Sequence, residues 1–276
     1  MTRLNIGDAS LWTEQAGAGA PVLQIHGAGF GHYNFLPLSP LLAKKFHIID
    51  YDQRGYGGSD RPEPYDYSLE SWADDAIRVL DSLGIDMAHI HGTSMGGMVA
   101  QIVAGKYSDR VKSVVINCSA SKLGTRGRLT FQNWIDIVRL DPDGVGSRTL
   151  AELITWTGLS ASYLDSPAGA DAVDSIQNIL RDSNSTGPFL AACRAMQEMD
   201  LRDWVRKIEC PALVLGGDED VMTPWDQGPD GAGQQWIADN LPHGETWVIK
   251  GGGHSTPFDS TEEHAEVVTR FFLKHA

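Results

Sequence analysis

A serine, a histidine and three neighbouring carboxylates are the side chains of this 276-residue chain best suited to chemistry. Ser94 stands in Gly92-Thr93-Ser94-Met95-Gly96, directly after a short apolar stretch and directly before a small-residue helical pattern. That context predicts a serine on a sharp strand-to-helix turn, where glycines relieve backbone crowding and the hydroxyl is lifted clear of the sheet. A serine hydroxyl is a weak nucleophile at neutral pH and needs a base, usually histidine, oriented by a carboxylate. His254 follows three glycines, and Asp218, Glu219 and Asp220 follow an earlier apolar run, so position alone leaves all three acids eligible. Attack on a carbonyl develops an oxyanion; the backbone N–H of Met95, opening the helix after Ser94, is a natural donor for it.

These residues need a frame. Short apolar runs at 22–26, 46–50, 88–91, 111–117, 212–215 and 246–249 suit strands buried on both faces of a parallel sheet. Leu69, Trp72, Ala73, Ala76, Ile77, Leu80 and Leu83 recur at helical spacing before Gly84, which predicts an amphipathic helix. Ser260 and Glu263 have the spacing of a capping box, ahead of a last helix with Val267, Val268, Phe271 and Phe272 on its apolar side. The alternation predicts an α/β fold with a mostly parallel, doubly wound sheet. From 119 to 206 the rhythm breaks into helical patches with Trp134, Trp156 and Trp204. The expected organisation is therefore core at 1–118, an inserted helical cap at 119–206, and core again at 207–276.

Composition narrows the partners. A net charge of -14 argues against nucleic acid and anionic membrane, leaving a small molecule, with self-association open. Cys118, Cys193 and Cys210 are odd in number and far apart, which suits a reducing cytoplasm better than a disulfide framework. The first residues lack the apolar run of a signal peptide, and no run reaches membrane-spanning length, so a cytoplasmic protein is expected. No metal is expected, because neither HExxH nor paired Cys/His spacing occurs. Gly27-Ala28-Gly29-Phe30-Gly31 faintly resembles a dinucleotide fingerprint, but the third glycine is misplaced and His32 follows; no cofactor is expected.

Five motifs occur in order: His26-Gly27-Ala28-Gly29, Asp52-Gln53-Arg54-Gly55-Tyr56-Gly57-Gly58-Ser59, the Gly92–Gly96 pentapeptide, Gly217-Asp218-Glu219-Asp220-Val221-Met222-Thr223-Pro224, and Gly252-Gly253-His254. Over nearly its whole length the chain thereby resembles the α/β-hydrolase superfamily, whose pentapeptide is the nucleophile elbow. The resemblance implies a Ser94, Asp220 and His254 triad, since the family's acid typically stands four residues before the proline of the fourth motif. It also implies an oxyanion hole made by the amides of Ala28 and Met95. Ser94 argues against dehalogenases and epoxide hydrolases, which carry aspartate at the elbow. Ser255 stands where many carbon–carbon bond hydrolases carry tryptophan.

Segments 92–97, 117–125 and 191–202 look like those of 3-oxoadipate enol-lactonases and allied small ester and lactone hydrolases. A serine hydrolase of a small ester or lactone is the expected function. Its pocket is expected to involve Gly29, His32, Trp134, Trp156 and Met196. Arg126, and equally Arg128, Arg148 or Arg194, is a candidate partner for a substrate carboxylate. His26 and His91 are expected to satisfy backbone, with His243 and His264 in water. The alternatives are a small-molecule receptor on the same fold, a carbon–carbon bond hydrolase, a perhydrolase and an acyltransferase.

Overall fold

The computed structural model describes residues 2–64 and 66–276. Its strands are β1 (Thr2–Asn5), β2 (Ser10–Ala16), β3 (Pro21–Ile25), β4 (His47–Tyr51), β5 (Ala88–Thr93), β6 (Val111–Asn117), β7 (Ala212–Gly217) and β8 (Gly244–Ile249). They form one sheet in the order β1-β2-β4-β3-β5-β6-β7-β8. β2 pairs antiparallel with β1 and β4, and all pairings from β4 to β8 are parallel. From β3 the chain moves outward to β4 on one side and later to β5 on the other. This topological switch opens a crevice at the carboxyl ends of β3 and β5, the usual ligand position in such sheets.

Period-two burial builds the two layers. Val114 and Ile116 of β6 join the cluster under α2 (Leu69–Ser82) and α3 (Met95–Lys106), while Val115 joins the cluster under α1 (Ser39–Leu42) and α12 (Thr261–Lys274). The β1–β2 hairpin has no counterpart among the expected strands. Its signal is alternation, with Leu11 and Thr13 buried between half-buried neighbours, rather than a continuous apolar run. At the opposite edge, β8 starts at Gly244 and is largely exposed, so it is not buried on both faces as expected.

Two terminal expectations fail for local reasons. The Ser260 hydroxyl bonds to Asp259, and Glu263 accepts from Trp247 Nε1, so no capping box forms. His264 faces inward on α12, fully buried, with its Nε2 3.1 Å from that of His91 and its Nδ1 3.0 Å from Thr256 Oγ1.

Between β6 and β7 run α4 (Thr125–Leu140), α5 (Arg148–Gly158), α6 (Ala161–Leu164), α7 (Ala172–Ser183), α8 (Thr186–Glu198) and α9 (Arg202–Val205). α4 packs on α8 and α5 on α7. Trp134 stacks on Phe189 with ring centroids 6.0 Å apart. The carbonyl of Gly29 in the β3 loop accepts from Asn184 Nδ2 at 2.8 Å, tying this helical layer to the sheet's rim.

Candidate active site

Ser94 adopts φ 56° and ψ −118°, a region that side-chain-bearing residues rarely occupy and that costs about 1–3 kcal/mol. The surroundings enforce it. Its N–H donates to Asn117 O at 2.9 Å, and its carbonyl accepts from Met98 N and Ser119 Oγ. A Cβ on Gly92 would strike the Gly96 carbonyl, and one on Gly96 the Ile25 carbonyl, so only glycine lets α3 start this close to β3 and β5.

His254 lies beyond β8 and Asp220 beyond β7, both buried. His254 Nδ1 is 3.0 Å from each oxygen of Asp220. Asp220 Oδ1 also accepts from the backbone of Met222 and Thr223 at 2.9 Å, and Oδ2 from the Thr223 hydroxyl at 2.9 Å. Burial alone would raise this carboxyl. The His254 charge and these hydrogen bonds outweigh it and hold Asp220 below its ordinary value, so it stays an acceptor. Asp218 bonds instead to Lys250 and Gly251 N, and Glu219 accepts from Ala161 N, which places both away from the ring.

Ser94 and His254 line one small cavity of about 20 Å³, together with Gly27, Ala28, Asn34 and Trp134. That space holds about one water molecule. Among the described residues, Ser94 Oγ and His254 Nε2 each lack a hydrogen-bond partner and do not bond to one another. The backbone N–H groups of Ala28 and Met95 likewise donate to no acceptor among the described residues, although both residues are buried. Gly27 N, by contrast, is taken by Asn34 Oδ1 at 2.7 Å. Two unspent donors therefore remain beside the serine.

His26 shapes this loop without an open face. Its Nδ1 bonds to Gly27 O at 2.8 Å and its Nε2 accepts from Gln53 N at 2.9 Å; burial lowers its pKa to about 4. The Asp52–Ser59 motif is thus scaffolding. Arg54 within it makes a buried pair with Asp75 at 2.7 Å.

Of the expected pocket residues, Trp134 lines the cavity and the others do not. Gly29, at φ +88°, lies against Leu180 and Phe189 beneath the helical layer. His32 is stacked on Trp12 at 3.8 Å and bonded to Asp52, because the turn after Gly31 directs it away. Met196 is buried within α8 packing. Trp156 is 68% exposed, since Leu150, Ala151, Ile154, Thr155 and Gly158 take the inner face of α5. Arg126 is exposed on the first turn of α4, whose inner face is Gly127, Phe131, Trp134, Ile135 and Val138. Arg148 pairs with Glu152 and Asp174, Arg128 bonds to Leu123 O, and Arg194 is exposed, so none of these arginines reaches the serine's cavity.

Asn34 and Ile154 line the cavity without a sequence signal of their own, and Phe30, Met222 and Ser255 line it from within or beside the motifs. Cys118 is a further neighbour. Its sulfur, with one ligand atom each of Asp220 and His254, forms a buried group whose atoms lie within 4.8 Å of one another. Burial pushes the Cys118 thiol well above its ordinary value, which makes it a neutral neighbour of the carboxylate and the imidazole. Among the described residues, no helix is long and apolar enough to cross a membrane.

A family model described as the alpha/beta hydrolase fold matches residues 20–261, and the chain belongs to that superfamily of hydrolases. Among curated relatives, it is 27% identical over 207 residues to 3-oxoadipate enol-lactonase 2 of Acinetobacter baylyi, covering 75% of this chain and 71% of that one. It is 39% identical to 2-hydroxymuconate semialdehyde hydrolase of a Pseudomonas strain over only 108 residues, 38% of each chain. Among solved structures, a thermophilic esterase of Thermogutta terrifontis superposes with a TM-score of 0.82 at 25% identity, covering 97% of this chain and 95% of that one.

Proposed function

We propose that this protein is a serine hydrolase cleaving a small carboxylic ester or lactone through an acyl-enzyme. The observation that carries the reading is one cavity shared by a strained, partnerless serine hydroxyl and a histidine braced by a buried carboxylate. His254 Nε2 takes the Ser94 proton as Oγ attacks the carbonyl carbon. The amides of Ala28 and Met95 receive the developing oxyanion, and Asp220 stabilises the imidazolium. Collapse breaks the bond to the alcohol oxygen, which leaves with the proton that His254 received from Ser94. Water, deprotonated by His254, then attacks the acyl carbon, and the acid leaves as His254 returns that proton to Ser94 Oγ. The open Ser94–His254 contact suits an unliganded site, where such bonds often tighten only with substrate.

A fluorophosphonate probe tests this directly. One covalent adduct per chain is expected, located at Ser94 by peptide mass spectrometry and absent from Ser94→Ala. An unlabelled wild type that remains folded would overturn the reading. The partial likeness to 2-hydroxymuconate semialdehyde hydrolase favours a second reading, in which the same serine cleaves a carbon–carbon bond. Product analysis on ring-cleavage diketo acids, beside esters, separates the two.

A further inference from the structure

The serine's own cavity, about 20 Å³, holds about one water molecule and leaves no room for a ring-sized group. A second cavity of about 170 Å³ lies beside it, sharing Phe30 and Ser255 as walls. An apolar cavity of about 150 Å³ is known to hold a benzene ring. The walls here are mainly apolar, with Leu159, Ile176, Ile179 and Phe258 prominent. No Asp, Glu, Lys, Arg or His stands among them. Phe30, a wall of both spaces, approaches Phe258 of the second with ring centroids 6.3 Å apart. Exposed Ala168 and Ser175 mark the outer end, so the space opens towards solvent through the helical layer.

We infer that this second cavity is the leaving-group subsite, and that it accepts the alcohol part of an ester, uncharged and about the size of a six-membered ring. The inference rests on the serine-hydrolase reading for its chemistry. The leaving oxygen must face the imidazole that protonates it, and the shared wall Ser255 directly follows His254. Burying a charged group among these walls would leave it unpaired, which excludes an anionic alcohol. The opening at Ala168 and Ser175 lets the freed alcohol depart while the acyl group stays on Ser94.

The test uses the full chain and acid release by pH-stat, comparing benzyl acetate, methyl acetate and methyl phenylacetate. Wild type should prefer benzyl over methyl acetate in kcat/KM by about tenfold or more, as expected for filling an apolar pocket. Ile179→Trp narrows the cavity and should cut the ratio of benzyl acetate to methyl acetate at least about tenfold. Ala172→Leu, a milder filling, should move the ratio the same way if the tryptophan variant fails to fold. An unchanged ratio, or a loss confined to methyl phenylacetate, would overturn the assignment. If wild type cleaves no ester, the hydrolase reading falls while the cavity is still decided by binding. Ser94→Ala titrated with benzyl alcohol should then saturate, with about tenfold weaker binding when Ile179→Trp is added. Absence of saturable binding would sink the subsite.

Discussion

At the sheet's rim, Ser94, Asp220 and His254 are fixed by backbone geometry and buried hydrogen bonds; across the same cavity, Trp134 and Ile154 are fixed by packing. The rim tolerates few residue types at each position. Gly92 and Gly96 admit no Cβ, and Asp220 must accept several hydrogen bonds at once. The helical layer asks only for an apolar residue of suitable volume on each inner face. Chemistry is therefore written in residue identity at the rim, and in residue periodicity above it.

The largest break in this comparison comes at the rim. Ser94→Ala and Asp220→Asn should each lower kcat/KM for a chromogenic acetate ester by about 10⁴-fold or more, and Ser94→Ala should leave the melting temperature nearly unchanged. Wild-type activity in either variant would remove that residue from the proposed mechanism. Above the rim, the expected loss is in folding. Trp134→Ala empties a site that is 3% exposed and stacked on Phe189, and should cost about 3–5 kcal/mol in urea unfolding. A cost below about 1 kcal/mol would mean that the inner face of α4 is not packed as described.

Acid sharpens the contrast by a smaller amount. All nine histidines lie outside residues 119–206. Burial lowers His26 and His89 to about 4 and His91 to about 3. In the unfolded chain each takes a proton below about 6.5, whereas the folded form does so only near those lowered values. Between the two, the unfolded state binds more protons, so stability is full above about pH 6.5 and falls as pH drops towards 4. The slope is at most about 1.4 kcal/mol per pH unit for each histidine. Urea midpoints at pH 7.5, 6 and 5 should fall in the wild type and fall less in His91→Asn. Burial raises Asp50 to about 7, which opposes the fall over the same range, so the comparison of the two proteins is the decisive reading; equal profiles would contradict a neutral, buried His91.

The sheet's inner strands and the elbow could be read from residues, because parallel strands need continuous apolar runs and the elbow needs glycines; the choice of Asp220 among three acids came from the family resemblance alone. The β1–β2 hairpin was not legible, since its alternating Leu11 and Thr13 look like ordinary surface sequence. Cys118 was read for redox state and within the enol-lactonase-like segment 117–125, but its closeness to Asp220 and His254 depends on β6 lying beside β7, a long-range pairing no local pattern announces. His264 looked solvated by residue type, although its spacing to Val267 and Val268 turns it onto the apolar face of α12, where it meets His91. Pocket membership failed for a different reason. Tryptophans and arginines were weighed by type, whereas helical spacing decides which of them turn inward.

Trp156 carries that last point to its smallest and sharpest test. Positions 150, 151, 154, 155 and 158 form the buried stripe of α5, and position 156 falls opposite it, 68% exposed. Arg126 stands on the outer side of α4 in the same way. Truncation of either removes no buried contact and no bonded charge facing the serine. Trp156→Ala and Arg126→Ala should therefore shift stability by no more than about 0.5 kcal/mol and ester kcat/KM by no more than about twofold. Trp134→Ala, on the inner face of the neighbouring helix, is the matched control with the large effect. A tenfold loss of kcat/KM in Trp156→Ala with unchanged stability would show that the outer face of α5 meets substrate, and the division between rim and helical layer would have to be redrawn.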